Sequence, residues 1–247
     1  MEPESRTVRE TKTLAVVTPF GGGREGFERA LIPMMARAKC AYEILHGQDT
    51  FRWIVALDPA YQRSLEHFDF PGWVESLWGK HGDKNHLRTI ALNAAFTTED
   101  VDFIAFADSD DWYPPDYWGW LVNGLTKGLR CAKTGYQRYD VHSHRWLRSP
   151  FAHGLCCGVW GADLFGYNTD NEFHLTGYDG RDACALEERA SETWLASMLD
   201  PVFMVHGRNM ASHRDWTATR VVDVEPWAYF ADIIRGLTVD SLPDSST

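Results

Sequence analysis

The sequence has no long run of apolar residues, and this absence excludes one class of protein. No stretch approaches the roughly 20 consecutive apolar residues that an α-helix needs to cross a bilayer. The opening residues, MEPESRTVRETKT, also lack the apolar segment found at the centre of a secretory signal peptide. We therefore expect a cytoplasmic protein with no integral membrane segment.

Cysteine is scarce, and its arrangement argues against a disulfide framework or a zinc site. The chain has five cysteines in 247 residues, an odd number, and no C-x₂-C pair. Such usage is typical of cytoplasmic proteins. We expect reduced structural thiols at Cys40, Cys131, Cys156, Cys157 and Cys184.

Positive charge is in deficit as well. The chain has 24 lysines and arginines against 35 aspartates and glutamates, a formal net charge of −11. That balance disfavours a strong electrostatic grip on nucleic acid or anionic lipid. Hydrophobic residues make up 44% of the chain, which is ordinary for a globular protein. The length fits one α/β domain with at most a small appendage.

Strand-like and helix-like segments alternate in the first half of the chain. Short apolar runs rich in β-branched residues indicate buried strands, and longer segments with apolar residues at helical spacing indicate helices. Their alternation is typical of βαβ units and a mostly parallel sheet. The strands are LAVVTPF, FRWIVALDP and DFIAFADSDD, and the helices are FERALIPMMARAKCAYEIL and LRTIALNAAF.

The second half is less regular. Residues 112–161 are aromatic and basic by turns, and residues 163–180 resemble a loop. The segment ACALEERASETWLASML predicts an amphipathic helix, and PVFMVHG predicts a short final strand. Aromatic rings in this half could stack on a sugar or a base, or could simply form the core; they are Trp112, Tyr113, Tyr117, Trp118, Trp120, Tyr136, Tyr139 and Trp146.

All three predicted strands finish in polar groups. Thr18 closes the first strand, Asp58 the second, and Asp108-Ser109-Asp110-Asp111 the third. In open α/β sheets, ligands bind outside the carboxyl ends of the strands. Two carboxylates at positions i and i+2 after a buried strand can turn toward one hard cation, such as Mg²⁺ or Mn²⁺. The alternative is an ordinary acidic turn.

These segments, in this order, resemble the nucleotide-binding half of the family 2 glycosyltransferases, which have the GT-A fold. The motif Arg88-Thr89-Ile90-Ala91-Leu92-Asn93 ends fifteen residues before Asp108, and this distance from Asn93 to Asp108 is the spacing expected in that family. The resemblance covers about residues 14–120. It departs from the family pattern at Gly21-Gly22-Gly23 and at the single acid Asp58.

The resemblance implies a GT-A, Rossmann-like, mostly parallel central sheet flanked by helices, with a smaller acceptor-side half. The expected division is a polar tail (1–12), a nucleotide-sugar-binding half (13–111), an acceptor-binding and catalytic half (112–215) and a C-terminal appendage (216–247).

The resemblance also implies a donor site for a nucleoside-diphosphate sugar, expected to be a UDP-sugar. Asp108 and Asp110 would hold Mn²⁺ or Mg²⁺, with His206 completing the metal shell. Thr18, Pro19 and Asp58 would line the nucleobase pocket, and Arg88 would lie near the phosphates or base, unless it is only a solvated helix residue. The other donor-binding residues expected are Asn93, Asp108 and Ser109.

A general base is expected at the start of the predicted helix that follows residue 180. The family carries an acid pair there, and this chain has Glu187-Glu188. A carboxylate in that place can take the proton of an acceptor hydroxyl, and Glu188 is the preferred candidate. Asp179 and Asp182 are rivals, and two glutamates could equally serve only to complement a helix dipole. The family implies inversion at the anomeric carbon.

Two other functions compete with glycosyl transfer. A sugar-phosphate nucleotidyltransferase also uses metal-bound carboxylates, and GGGREGFER faintly suggests its phosphate loop. A non-catalytic carbohydrate-binding protein could keep the same fold. The acceptor stays open among a saccharide, a protein, a lipid-linked sugar and a modified nucleic-acid base.

Overall fold

Two β-sheets and four α-helices make up the described part of the chain. In this computed structural model the described residues are 11–21, 25–62, 68–79, 84–98, 100–125, 128–140, 145–147, 154–167, 170–176, 178–196, 201–205 and 221–222. The helices are α1 (Glu25–His46), α2 (Lys84–Thr98), α3 (Tyr117–Leu125) and α4 (Asp179–Ala190). The strands are β1 (Thr13–Phe20), β2 (Thr50–Leu57), β3 (Val74–Trp78), β4 (Phe103–Phe106), β5 (Cys131–Thr134), β6 (Gln137–Asp140), β7 (Arg145–Leu147), β8 (Gly158–Gly161), β9 (Trp194–Ala196), β10 (Val202–Val205) and β11 (Val221–Val222).

The larger sheet has seven strands in the order β3-β2-β1-β4-β8-β5-β9. Strands β3, β2, β1 and β4 are mutually parallel, so their carboxyl ends share one edge. Strand β8 is antiparallel to both β4 and β5, and β9 is parallel to β5. The mostly parallel α/β sheet predicted from the sequence is therefore confirmed, and strands from both halves of the chain share it.

Helices cover the sheet on both faces. The ring of Phe51 contacts Tyr42 of α1 and Trp118 of α3, at centroid distances of 5.6 and 6.1 Å. The next residue, Arg52, donates from Nη1 to the carbonyl of Ala95 in α2 at 3.1 Å. Because successive strand side chains point to opposite faces, α1 and α3 lie on one face and α2 on the other. This explains why β1 and β2 are almost continuously apolar.

The chain reverses direction across the sheet between β1 and β4. From β1 it passes through α1 to β2 and on to β3, and from β3 it returns through α2 to β4 on the other side of β1. Such a reversal leaves a crevice at the carboxyl ends of the two central strands. The sequence Asp108-Ser109-Asp110-Asp111 follows β4 at this place.

The smaller sheet has the order β10-β6-β7-β11. An isolated antiparallel bridge joins Trp112, directly after the acids, to Val202 of β10. The Trp112 N–H donates to the Val202 carbonyl at 2.9 Å, and the Val202 N–H donates back at 2.8 Å. The chain leaving the acid segment is thereby attached to the second sheet.

Several element boundaries differ from the sequence prediction. Strand β3 was not predicted, because it is a half-buried edge strand without a continuous apolar run. Helix α1 continues through Pro33, and β1 ends at Phe20, two residues beyond Thr18.

The long helix predicted over residues 183–199 is wrong. Helix α4 ends at Ala190, where Ser191 adopts a left-handed φ of 62°, and β9 then pairs with β5 at the sheet edge. The apolar residues of this segment therefore serve two elements.

The cysteine prediction agrees with the structure. All five cysteines are free thiols, and Cys131, Cys156 and Cys157 are buried. Burial raises the pKa of the Cys131 thiol to about 12, although a hydrogen bond with Thr193 and the charge of Lys133 oppose the rise. Among the described helices, none combines the length and the apolar character required to span a membrane.

Substitution of Gly124 is expected to destabilise the fold. A Cβ at this α3 position would collide with the indole of Trp194 in β9. Because that ring is wedged against Trp120 at a centroid distance of 4.9 Å, Gly124→Ala should lower the free energy of unfolding by about 1–3 kcal/mol. Urea denaturation measures this loss. Gly72→Ala is the control, since a Cβ there meets nothing within 4 Å; equal stability of the two variants would contradict the packing described.

Candidate active site

The acids after β4 are held by the sheet and by one tyrosine. The Ala107 N–H donates to the Val17 carbonyl at 2.9 Å, extending the β1–β4 pairing by one residue. The Asp108 N–H then donates to the hydroxyl oxygen of Tyr113 at 2.8 Å. Burial, followed by the nearby Cys156, Asp111 and Asp108, raises the pKa of Tyr113 well above its ordinary value. The phenol is therefore neutral.

Three carboxylates converge at this edge of the sheet. One oxygen each of Asp108, Asp110 and Asp111 lies within 4.8 Å of the others. Asp108 and Asp110 are buried, and Asp111 is half-buried. Asp111 also accepts the Met204 N–H at 3.1 Å, which ties the cluster to β10. This donor set suits a hard divalent cation, which takes oxygen ligands.

Arg88 connects the cluster to helix α4. Its Nη2 donates to Asp108 Oδ1 at 2.6 Å and to Asp179 Oδ2 at 3.2 Å, and its Nη1 donates to Asp179 Oδ1. The same Nη2 lies 3.5 Å from Cys156 Sγ. Burial by itself would lower the pKa of Arg88, but the carboxylates of Asp108 and Asp179 raise it well above its ordinary value.

The alternative interpretation of Arg88 as a solvated helix residue is excluded. The side chain has no solvent exposure, and a buried guanidinium requires paired carboxylates. Arg88 comes from α2, Asp108 from the end of β4, and Asp179 from the first turn of α4. One side chain thus joins three elements at the site.

The four acids weighed as bases occupy different environments. Asp179 is half-buried and paired with Arg88. Asp182 is buried and accepts hydrogen bonds from the Thr176 N–H at 3.0 and 3.1 Å and from the Thr176 hydroxyl at 2.5 Å. These hydrogen bonds hold Thr176, which precedes α4, against the helix.

Glu187 and Glu188 do not lie at the start of a helix, so that part of the prediction is wrong. Helix α4 begins at Asp179 and ends at Ala190, which puts both glutamates in its last turn. Glu187 forms an ion pair with the buried Lys133 of β5, whereas Glu188 is exposed. The acids of the first turn are Asp179 and Asp182.

Residues 79–193 match the family model described as Glycosyl transferase family 2. That span contains Arg88, the three clustered acids and all of α4. Residues 79–193 belong to glycosyl transferase family 2. The family resemblance predicted from the sequence is confirmed, and the acid cluster, Arg88 and Asp179 are features of this family 2 segment.

Solved structures agree with this family assignment at the level of the fold. The chain is similar to S. aureus TarS, with a TM-score of 0.55 and 13% identity over 78% of this chain and 37% of that one. It is also similar to TarS 1-349, with a TM-score of 0.52 and 13% identity over 78% and 60% of the two chains. TarS 1-349 in complex with UDP-GlcNAc gives a TM-score of 0.53 and 12% identity over 82% and 60%.

The GT-A fold predicted from the sequence is therefore confirmed. The chain spans 60% or less of the length of these TarS structures. No curated protein matches the chain by sequence.

The residues predicted for the nucleobase pocket have contacts within the protein. Thr18 is fully buried, and its hydroxyl oxygen accepts the Trp53 indole N–H at 2.9 Å. Pro19 is buried in the same strand. Asp58 lies at the carboxyl end of β2, where its Oδ1 accepts the Ala60 N–H at 2.9 Å and caps a short 3₁₀ turn. Only Asp58, which is partly exposed, presents a side chain toward solvent.

Asn93 is not brought to the acid cluster of the family 2 segment. It lies five residues after Arg88 in α2, a rotation of about 140° around the helix. It lines a separate cavity of about 290 Å³ with the aromatic rings of Phe96, Phe165, Tyr167 and Phe173. Ser109 is buried beside the acids, and His206 lies outside the described residues.

The aromatic residues named from the second half of the sequence mainly form part of the core. Only Trp120 and Tyr136 of the eight are half-buried rather than buried, which leaves little ring surface for an acceptor. The buried ones are Trp112, Tyr113, Tyr117, Trp118, Tyr139 and Trp146.

Removal of the Asp182 carboxylate is expected to destabilise the entry to α4. Asp182→Ala leaves the Thr176 N–H and hydroxyl without their buried acceptor, so the free energy of unfolding should fall by about 1–3 kcal/mol. Chemical denaturation tests this. Glu188→Ala, on the exposed face of the same helix, is the matched control and should change stability little. A destabilisation by Glu188→Ala as large as that by Asp182→Ala would refute the structural role given to Asp182.

Proposed function

We propose that this protein is a glycosyltransferase that moves a sugar from a nucleoside-diphosphate sugar to an acceptor nucleophile, with a divalent cation at the acid cluster. The observation that carries the proposal is the convergence of Asp108, Asp110 and Asp111 at the carboxyl ends of the parallel strands, in a family 2 segment. Mn²⁺ or Mg²⁺ bound there would neutralise charge on the departing diphosphate.

The residues that would hold the cation are Asp108 and Asp110. Asp111 is a third candidate ligand, because its carboxylate lies beside the other two. Their oxygens can approach one ion together, and Asp108 and Asp110 are largely shielded from water. His206 remains a predicted further ligand. An imidazole there would favour Mn²⁺ over Mg²⁺.

The donor would bind along the carboxyl ends of β1, β2 and β4. The Asp58 N–H donates to the Phe20 carbonyl at 3.0 Å, so the ends of β1 and β2 lie side by side. The Asp58 carboxylate at this edge could accept an N–H of the nucleobase. A UDP-sugar is the proposed donor, and the TarS structure with UDP-GlcNAc, which shares the fold, supports that choice.

Asp179 is the acid that the geometry favours as general base. It stands in the first turn of α4 and shares Arg88 with Asp108, so it lies beside the proposed donor site. Asp182 is buried against Thr176, Glu187 pairs with Lys133 of β5, and Glu188 lies about two and a half turns further along the helix. The Asp179 carboxylate would accept the acceptor's proton as its oxygen attacks the anomeric carbon opposite the leaving nucleotide.

Glycosyl transfer is preferred to the two competing functions. The family 2 match favours it over a sugar-phosphate nucleotidyltransferase. The carboxylates of Asp108 and Asp179, joined through the buried Arg88, favour it over a non-catalytic carbohydrate-binding protein. Hydroxyl-bearing saccharides are the first acceptors to test, because the proposed chemistry needs a nucleophilic oxygen beside Asp179.

Asp110→Ala should strongly weaken cation-dependent donor binding while leaving the fold intact. Loss of one of two buried carboxylate ligands should weaken Mn²⁺-dependent binding of UDP by at least about 10-fold. Isothermal calorimetry with UDP, with and without Mn²⁺, measures this effect. The matched control is Asp116→Ala, an exposed acid five residues beyond the cluster. Unchanged UDP affinity in Asp110→Ala with Mn²⁺ present would remove the cluster from the donor site.

Asp179→Asn and Glu188→Gln separate the two candidate bases. Loss of a general base lowers turnover by roughly 10²–10⁴-fold, and we expect that loss in Asp179→Asn even when Mn²⁺ and UDP-sugar are raised to saturation. Glu188→Gln should keep near-normal turnover. The readout is UDP release from UDP-sugars with a panel of saccharide acceptors. The opposite pattern, with Glu188→Gln inactive and Asp179→Asn active, would reassign the base to Glu188.

A further inference from the structure

The guanidinium of Arg88 is shared between two carboxylates that have different proposed tasks. Asp108 belongs to the proposed cation site, and Asp179 is the proposed base. The arginine contacts Asp108 through Nη2 at 2.6 Å and Asp179 through both Nη1 and Nη2. The Arg88 side chain is fully buried, so water screens its charge less than it would screen a charge on the surface.

The Arg88 contact competes with any cation at Asp108. A divalent ion and a guanidinium that approach the same carboxylate repel each other, and two unit charges 4 Å apart repel by about 1–4 kcal/mol even in a screened site. When Asp108 binds the ion, Arg88 can still pair with a second carboxylate, that of Asp179. Because Asp179 is that carboxylate, Arg88 need not become an unpaired buried charge, which would be strongly destabilising.

We propose that Arg88 is a displaceable counter-cation that couples cation binding to the position of Asp179. Arg88 neutralises Asp108 while no divalent cation is present, and it pairs more fully with Asp179 once a cation binds Asp108. Cation binding would thereby fix the carboxylate that receives the acceptor's proton. The inference rests on the function proposed above, since it takes the cation site as given.

A purely structural role for Arg88 makes a different prediction. If the arginine only braced α2, β4 and α4, its removal would lower stability but would not raise cation affinity. A counter-cation, in contrast, opposes the ion, so its removal should tighten binding. Cation affinity therefore distinguishes the two roles independently of turnover.

The experiment is a Mn²⁺ titration by calorimetry of the wild-type chain, Arg88→Met, Asp179→Asn and the double variant. Arg88→Met should bind Mn²⁺ about 10-fold more tightly than wild type. Asp179→Asn should bind Mn²⁺ more weakly than wild type, because Arg88 is left with Asp108 alone. The effect of Asp179→Asn should shrink by several-fold in the Arg88→Met background. A general loss of negative charge would act equally in both backgrounds.

Arg52→Met is the matched control for removal of a buried arginine. Arg52 is also buried, and it pairs with Glu75 and donates to Ala95, away from the acid cluster. Its loss should leave Mn²⁺ affinity unchanged.

If Arg88→Met does not fold, Arg88→Lys replaces it. The lysine keeps the charge but not the planar fork that holds two carboxylates, so the effect of Asp179→Asn should again shrink.

The outcomes separate this inference from the proposed function. Absence of Mn²⁺ binding by the folded wild-type chain would overturn the cation site itself. Mn²⁺ binding with unchanged affinity in Arg88→Met, or an Asp179→Asn effect that is the same in both backgrounds, would overturn the coupling and leave the cation site standing.

Discussion

The ion-pair system of Arg88 with Asp108 and Asp179 is the interaction on which the rest of the site depends. A fully buried guanidinium is unfavourable alone, and so are carboxylates gathered at the end of a buried strand; together they are compatible with the interior. Because Arg88 comes from α2 and its partners from β4 and α4, the pairing also sets how three elements meet. The fold and the site are thus held by the same charges.

Much of the fold could be predicted from the sequence because its signals are local. The apolar runs of β1, β2 and β4 and the helical spacing of α1 and α2 are visible in single segments. The edge strand β9 could not be found this way, because its pairing with β5 is remote in sequence. The same applies to the C-terminal end of α4, where the apolar pattern continues into β9 although the backbone turns at Ser191.

The site was predictable in part for the same reason. Asp108, Asp110 and Arg88 stand in a spacing that carries the family resemblance, and the structure brings the first two together with Asp111. The start of α4 was misplaced, because it depends on the hydrogen bonds that Asp182 accepts from Thr176 and on the Arg88–Asp179 pair. Neither contact leaves a pattern in the sequence. Asn93 shares its motif with Arg88 but points into another cavity, which follows only from helix geometry.

A crystal structure of the chain grown with Mn²⁺ and UDP tests the central claim most directly, since manganese can be located by its anomalous scattering. We expect one manganese ion between the carboxylates of Asp108 and Asp110. The diphosphate should contact this ion, and the uracil ring should lie toward Asp58. A nucleotide bound away from the carboxyl ends of β1, β2 and β4, or manganese absent from the acid cluster beside bound UDP, would contradict the account.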